Sequence, residues 1–224
     1  MKLFSFIFAR GGSKGIKNKN ITKINGKPLI FYSISLAKKI SGKNVYVSTD
    51  SLSIKRISEK YGASVIMRPK SISKDKSLEI FAWKHAINYL NQRNIFFDIF
   101  LSLPTTSPLR NLYDIKKAIS LLKKCDLVVT GSVSKRSPWF NMVQVNKDLN
   151  VELLVKNKKK ITRRQDVPKT YDLTTVAYVA KASYILGAKG IFDGKVKLSE
   201  IPVDRALDID DKFDLKIAKL LMKK

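Results

Sequence analysis

Leu3-Phe4-Ser5-Phe6-Ile7-Phe8-Ala9, followed at once by Arg10-Gly11-Gly12-Ser13-Lys14-Gly15-Ile16-Lys17-Asn18-Lys19-Asn20, decides how the rest of the chain is read. An apolar run this short suits a strand buried on both faces, and the glycine- and lysine-dense turn ends it abruptly. Arg10 follows with no small-residue cleavage site, so the run reads as a first core strand and not as a secretory leader. Outward from it, short β-branched and aromatic runs alternate with helical periodicity. Strands are expected at Leu3–Ala9, Asn44–Ser48, Ser64–Met67, Ile99–Leu103, Leu127–Ser134 and Val196–Ile201. Helices are expected at Pro28–Lys39, Ser51–Tyr61, Lys76–Gln92, Tyr113–Lys123 and Lys212–Met222. This is the pattern of a Rossmann-like α/β unit, a mostly parallel sheet flanked by helices. Between about 135 and 178 the alternation gives way to short β-like pieces around Asn157-Lys158-Lys159-Lys160, read as a β-hairpin excursion from the main body.

At 224 residues the chain is long enough for one well-buried α/β domain, with 44% of its residues hydrophobic. Its 44 Lys and Arg against 18 Asp and Glu give a formal charge of +26 and favour an anionic partner. The lysines are spread along the chain and the aromatics fall within apolar faces, so a general basic bias is favoured over a nucleic-acid-binding stripe. No apolar run reaches bilayer-spanning length, and no membrane insertion is expected. Cys125 stands alone, which excludes an intramolecular disulfide and a cysteine zinc site; a cytoplasmic location is expected. His85, the single histidine, lies in a helix among Phe81, Trp83 and Ala86 and reads as structural or surface-exposed, since no serine or cysteine motif accompanies it.

In an open parallel sheet, ligands bind beyond the carboxyl ends of the strands, so the turn after the first strand is the first place to seek chemistry. Gly11, Gly12 and Gly15 let backbone approach a phosphate, while Arg10, Ser13 and the lysines cradle and neutralise it. The spacing fits neither G-x-x-x-x-G-K-[ST] nor G-x-G-x-x-G. Near the other end stand Asp208-Ile209-Asp210. In an extended segment both carboxylates share one face, where they can hold a Mg²⁺ ion while Ile209 turns to the core. The competing reading makes Asp210 and Asp211 caps of the last helix.

The run Phe8 to Asn20, with Ile24-Asn25-Gly26-Lys27-Pro28-Leu29 behind it, resembles the amino-terminal motif of the acylneuraminate cytidylyltransferases, the CMP-sialic acid synthetases. The likeness continues in order through Val47-Ser48-Thr49-Asp50, Arg68-Pro69, Thr106-Ser107-Pro108-Leu109-Arg110, Arg164-Gln165 and Asp208-Ile209-Asp210. It implies a nucleotidyltransferase fold over 1–224 and attack of a sugar's anomeric hydroxyl on the α-phosphate of CTP, with pyrophosphate leaving. The partners implied are CTP, an acidic 2-keto sugar and, through the excursion, a second copy in a homodimer. The sister enzymes that activate 3-deoxy-manno-octulosonate look broadly similar.

The resemblance assigns Arg10, Gly11, Gly12, Ser13, Lys14, Lys19 and Asn20 to the nucleotide, with Arg10 and Lys19 on phosphate charge, and Arg68 to cytosine. It favours Asp208 and Asp210 as Mg²⁺ ligands and leaves Asp211 or Asp214 to capping. Arg164 and Gln165 match sugar-side residues, a guanidinium fork suiting a sugar carboxylate. Two departures fall on the sugar side. Pro104 stands where the bacterial sialic-acid enzymes tend to carry glutamine, so Thr105, Thr106 and Ser107 are the candidate hydroxyl contacts; and Thr174-Thr175 replace much of an N-G-A-I-Y pattern.

Overall fold

The computed structural model describes residues 1–13, 15–73, 78–156 and 163–223, without the side chain of Arg164. The opening run forms β1 (Leu3–Phe8), whose alternate side chains enter opposite cores. Phe4 and Phe6 pack on one face and Ile7 on the other, all at most 1% exposed. This two-sided burial explains why the strand is nearly continuously apolar. Phe6 is the hub of an aromatic stack, with ring centroids 4.8 Å from Phe100 and 5.7 Å from Tyr46.

From β1 the chain passes through a small antiparallel ladder, β2 (Lys23–Ile24) and β3 (Lys27–Pro28), into α1 (Leu29–Ser41). Then come β4 (Val45–Thr49), α2 (Leu52–Lys60), β5 (Ser64–Met67) and α3 (Glu79–Asn91). The second half runs β6 (Ile99–Ser102), α4 (Leu112–Leu121), β7 (Leu127–Val133), the hairpin β8 (Val143–Val145) and β9 (Val151–Leu153), and β10 (Tyr171–Lys181). It closes with α5 (Ala182–Gly187), β11 (Val196–Glu200) and α6 (Lys212–Leu221).

The main sheet has the order β11-β7-β10-β6-β1-β4-β5. All its neighbours are parallel except β10, which is antiparallel to both β6 and β7. Helices α1, α2 and α4 bury Ile30, Ile34, Ile54, Ile115 and Ala118 in the core on one face. Helices α3 and α5 bury Trp83, Ile87 and Ile185 in the core on the other. Local sequence fixes the helix starts: the Ser51 hydroxyl accepts the Ile54 N–H, and Asn111 with Asp114 forms a reciprocal capping box on α4.

The order of the strands locates the site. From β1 the chain moves outward through β4 to β5, then returns to place β6 on the opposite side of β1. Adjacent parallel strands whose connections leave in opposite directions open a crevice at their carboxyl ends. The loops after β1 and β6 flank that crevice.

The departure from the sequence expectation lies in β10. The excursion read over 135–178 is narrower, because the chain rejoins the main sheet at Tyr171 as an eleven-residue strand between β6 and β7. Its alternation is obscured by a register shift between Thr174 and Tyr178. The Thr130 hydroxyl fills the gap, accepting the Ala177 N–H at 3.1 Å and meeting the Thr174 carbonyl at 3.1 Å. The expected Asn157–Lys160 turn lies outside the described residues. Because Phe6 is fully buried among rings, Phe6→Ala is expected to cost about 3–5 kcal/mol of stability, read from the shift of the urea-unfolding midpoint at unchanged slope.

Candidate active site

The loop after β1 is pinned before any ligand arrives. The Gly11 N–H donates to Asp50 Oδ1 at 2.8 Å, tying the loop to the end of β4, so this amide is engaged within the protein. Asn20 is buried and knits two loops together: its amide donates to the Arg10 carbonyl at 2.9 Å, and its Oδ1 accepts the Thr105 hydroxyl. Gly15 comes so close to the segment before α6 that a Cβ there would sit 2.1 Å from the Asp210 carbonyl oxygen. Only glycine permits this approach. Lys19 closes the joint, donating to the Ile209 carbonyl at 2.8 Å and to Asp210 Oδ1 at 3.0 Å.

The acidic segment has the expected alternation. Ile209 is fully buried with Ile16, Ile24, Leu29 and Ala218, and its N–H donates to the Thr106 carbonyl at 2.9 Å. Asp208 and Asp210 flank it. Capping falls to Asp211, whose carboxylate accepts the Phe213 and Asp214 N–H groups while Asp214 answers on the Asp211 N–H. Asp210 is therefore spared for the cleft and stays 76% exposed at its side chain. Asp208 is half-buried, and its Oδ1 is buried without a hydrogen-bond partner. Burial pushes its carboxyl up, and the Asp210 charge adds to this, while the Thr106 and Thr175 hydroxyls and Lys19 push it down. A buried, orphaned carboxylate oxygen beside a second carboxylate is a donor set suited to a hard divalent cation.

Behind the cleft, the loop after β6 is held from within. Arg110 is buried and donates to the Val176 carbonyl at 2.9 Å, and also to the Pro104 carbonyl and the Ser33 hydroxyl. Burial draws its guanidinium down to about 9, with the Asp208 charge opposing, so it stays cationic at neutral pH. Thr175 bridges the Thr106 and Ser107 hydroxyls at 2.9 and 2.8 Å. Thus Pro104 contributes a backbone carbonyl to the scaffold, and the Thr174-Thr175 departure supplies the hydroxyl that orders the loop.

These elements bound a cavity of about 490 Å³. Of the residues singled out in the sequence, Arg10, Ser13, Lys19, Asn20, Arg68, Thr105, Thr106 and Asp210 line it together. Gly11, Gly12, Ser107 and Asp208 are not among its lining residues. Gln165 lines a second cavity of about 390 Å³ with Ser134, Ser137 and Lys169, so within one chain it is not brought to the first. Lys14 and the Arg164 side chain lie outside the described residues. Sequence reasoning missed Glu79, which lines the first cavity from the start of α3, and the bridging role of Thr175. It also gave no role to Tyr178, whose phenol is pushed up to about 12 by burial and by the charges of Glu79 and Asp208.

The cleft and the sheet order define a nucleotide-binding α/β fold, and comparison with solved structures agrees. A CMP:2-keto-3-deoxy-manno-octonic acid synthetase complexed with CTP superposes with a TM-score of 0.71 at 16% identity, over 99% of this chain and 98% of the other. A 4-diphosphocytidyl-2C-methyl-D-erythritol synthase from Anaerococcus prevotii gives 0.65 at 15% identity, over 100% and 99%. The fold is that of the nucleotidyltransferases. The cytidylyltransferase family model matches residues 5–218, and the chain belongs to that family.

Three sequence relatives are of similar length. The post-translational flagellin modification protein B of Campylobacter coli is 35% identical over 97% of this chain and 93% of its own. The CMP-N,N'-diacetyllegionaminic acid synthase of Campylobacter jejuni subsp. jejuni serotype O:2 is 34% identical over 96% and 93%. The pseudaminic acid cytidylyltransferase of C. jejuni serotype O:23/36 is 31% identical over 100% and 97%.

The contact at Gly15 generates a direct expectation. Gly15→Ala forces the loop off the Asp210 carbonyl and costs about 1–3 kcal/mol, measured by chemical denaturation. A variant as stable as the parent would show that the two segments are not apposed.

Proposed function

We propose that the protein transfers CMP from CTP to the anomeric hydroxyl of an acidic nine-carbon 2-keto sugar, releasing pyrophosphate. The observation that carries this reading is the convergence of Lys19, Asp208 and Asp210 beside the cleft opened by the loop after β1. The relatives named for legionaminic and pseudaminic acids, which span nearly the whole chain, support a nonulosonate acceptor. The likeness to the octulosonate enzyme, at 16% identity, supports the fold alone.

Phosphoryl transfer of this kind asks little covalent chemistry of the protein and much positioning and charge. Arg10 and Lys19 would take the phosphate charge, with Ser13 and the close-packed Gly15 turn bordering the same wall. Asp208 and Asp210 would hold a Mg²⁺ ion, which when bound neutralises charge developing on the phosphates. Among the described residues no third acidic, histidine or cysteine side chain joins them. Thr105 and Thr106 line the cleft, but their hydroxyls are engaged by Asn20 and Thr175, so they would shape the wall that the sugar meets. In this reading Gln165 acts from a neighbouring copy, because in its own chain it faces a separate cavity; the exposed Val143, Val145 and Val151 of the β8–β9 hairpin support a homodimer. Among the described residues no helix is long and apolar enough to cross a membrane, and we propose a cytoplasmic site of action.

The test is pyrophosphate release from each of the four ribonucleoside triphosphates, with Mg²⁺, across legionaminic, pseudaminic, N-acetylneuraminic and 3-deoxy-manno-octulosonic acids. Turnover with CTP and a nine-carbon acid is expected; turnover with the eight-carbon acid alone would overturn the acceptor assignment. Asp208→Asn and Asp210→Asn should each lower kcat/KM by roughly 10²-fold or more with the unfolding midpoint retained. Near-parental turnover in both would remove the metal assignment. Lys19→Met should lower kcat by about 10²-fold while leaving KM for the sugar unchanged, and a change confined to the sugar KM would move Lys19 off the phosphates.

A further inference from the structure

The two walls of the main cavity differ in chemistry. One, built by the loop after β1 and the segment before α6, carries Ser13, Lys19 and Asp210. The other, built by the end of β1, the turn after β5 and the start of α3, carries Phe8, Ile72, Leu78 and Ala82 with the single hydroxyl of Ser73. Within this wall stand two ionisable groups, Arg68 and Glu79. A flat, uncharged heterocycle suits such a wall and a triphosphate does not.

Glu79 is the first residue of α3, where an acidic side chain ordinarily does no more than complement the helix dipole from solvent. Here it faces the cavity half-buried. Burial pushes its carboxyl up, while the Trp83 indole and the Arg68 guanidinium pull it down. Arg68 in turn is lowered by burial, and it feels Asp50 and Glu79 as countercharges and Arg10 as a like charge. Its Nε is buried without a hydrogen-bond partner. One acceptor and one unspent donor therefore line the same cavity, each close enough to feel the other's charge, and a buried donor left unmet is costly. A ligand that offers an acceptor next to a donor relieves both.

The edge of cytosine has this pattern: O2 and N3 accept, and the N4 amino group donates. Uracil presents O4, an acceptor, where cytosine presents N4. A carboxylate accepts from N4 and repels O4. We infer that Glu79 is the residue that selects cytidine over uridine nucleotides, accepting the exocyclic amine of the base while Arg68 donates to the ring's acceptor edge. This inference rests on the cytidylyltransferase reading of the cleft and adds to it the source of base specificity. The carboxylate would belong to the specificity machinery and touch no reacting atom, because the same reading gives the phosphates to Arg10 and Lys19.

The test needs no sugar. CTP and UTP are titrated separately into the parent protein and into Glu79→Gln and Glu79→Ala, with dissociation constants read by calorimetry and folding checked by thermal unfolding. The parent should bind CTP at least 10-fold more tightly than UTP. In Glu79→Gln, whose amide both accepts and donates, the ratio should collapse to within about threefold, through weaker CTP binding and stronger UTP binding. In Glu79→Ala, CTP binding should weaken while UTP binding does not. A parental CTP to UTP ratio in folded Glu79→Gln would overturn the assignment. Failure of the parent to prefer CTP would instead strike at the nucleotide reading, so the two failures are distinguishable.

Discussion

The joint between the glycine-rich turn and the acidic segment is the constraint on which the site depends. It joins residues 190 positions apart in sequence through the Lys19 ammonium on the Ile209 carbonyl, and it tolerates no side chain at Gly15. The energetics come mainly from Ile209, which is fully buried with Ile16, Ile24, Leu29 and Ala218 and so draws both segments into one small core. Burying such a side chain contributes about 1.5–3 kcal/mol, more than a partly exposed ion pair such as Lys19 with Asp210. The apolar contact therefore sets the position, and the charged atoms on either side are carried into place. Asp208 and Asp210 follow from the same alternation, since a strand-like segment with its middle residue in the core must turn its neighbours outward.

Most of the fold was legible because parallel strands buried on both faces announce themselves as short apolar runs between amphipathic helices. Ser64–Met67 forms the strand its sequence reads as, and Lys212–Leu221 begins where the last helix was expected. β10 was not legible for an identifiable reason. Asp172, Thr174 and Thr175 give its first half the look of a polar loop, and the bulge after Thr174 shifts the alternation before Val179 and Ala180 can restore it. What makes the segment a strand is its pairing with β6 and β7, and the buried Thr130 hydroxyl, 44 residues from Thr174, bridges the irregularity in the β7 pairing. No local pattern reports that contact.

The site divides in the same way. That Arg10, Lys19 and Asp210 line one cavity was legible from the basic turn after the first strand together with the family resemblance, since the acidic pair by itself suited capping as well as metal binding. Arg68 was readable only by resemblance, since an arginine after a strand is otherwise unremarkable. Glu79 and Thr175 were not readable: one looks like an ordinary helix-starting acid, the other like a loop threonine. Their roles come from where the sheet order delivers them. Gln165 shows the converse, a recognisable residue that a single chain does not bring to the main cavity.

The distribution of charge within the cleft explains how a protein of +26 formal charge presents a site with selective chemistry. Spread lysines raise the potential everywhere and draw in any anion, a long-range effect that salt screens over about 10 Å. Discrimination must come from the few acidic groups held where cations would otherwise dominate. Asp208 is drawn into partial burial by its neighbour Ile209, and its orphaned oxygen costs free energy that a bound cation would relieve. Glu79 is held in the cavity wall, where burial pushes its carboxyl up while the Trp83 indole and the Arg68 charge pull it down. The unmet oxygen of Asp208 makes the cleft less stable than a fully paired one would be. On the proposed reading the basic background would recruit the nucleotide, Asp208 would favour a bound cation and Glu79 would select the base.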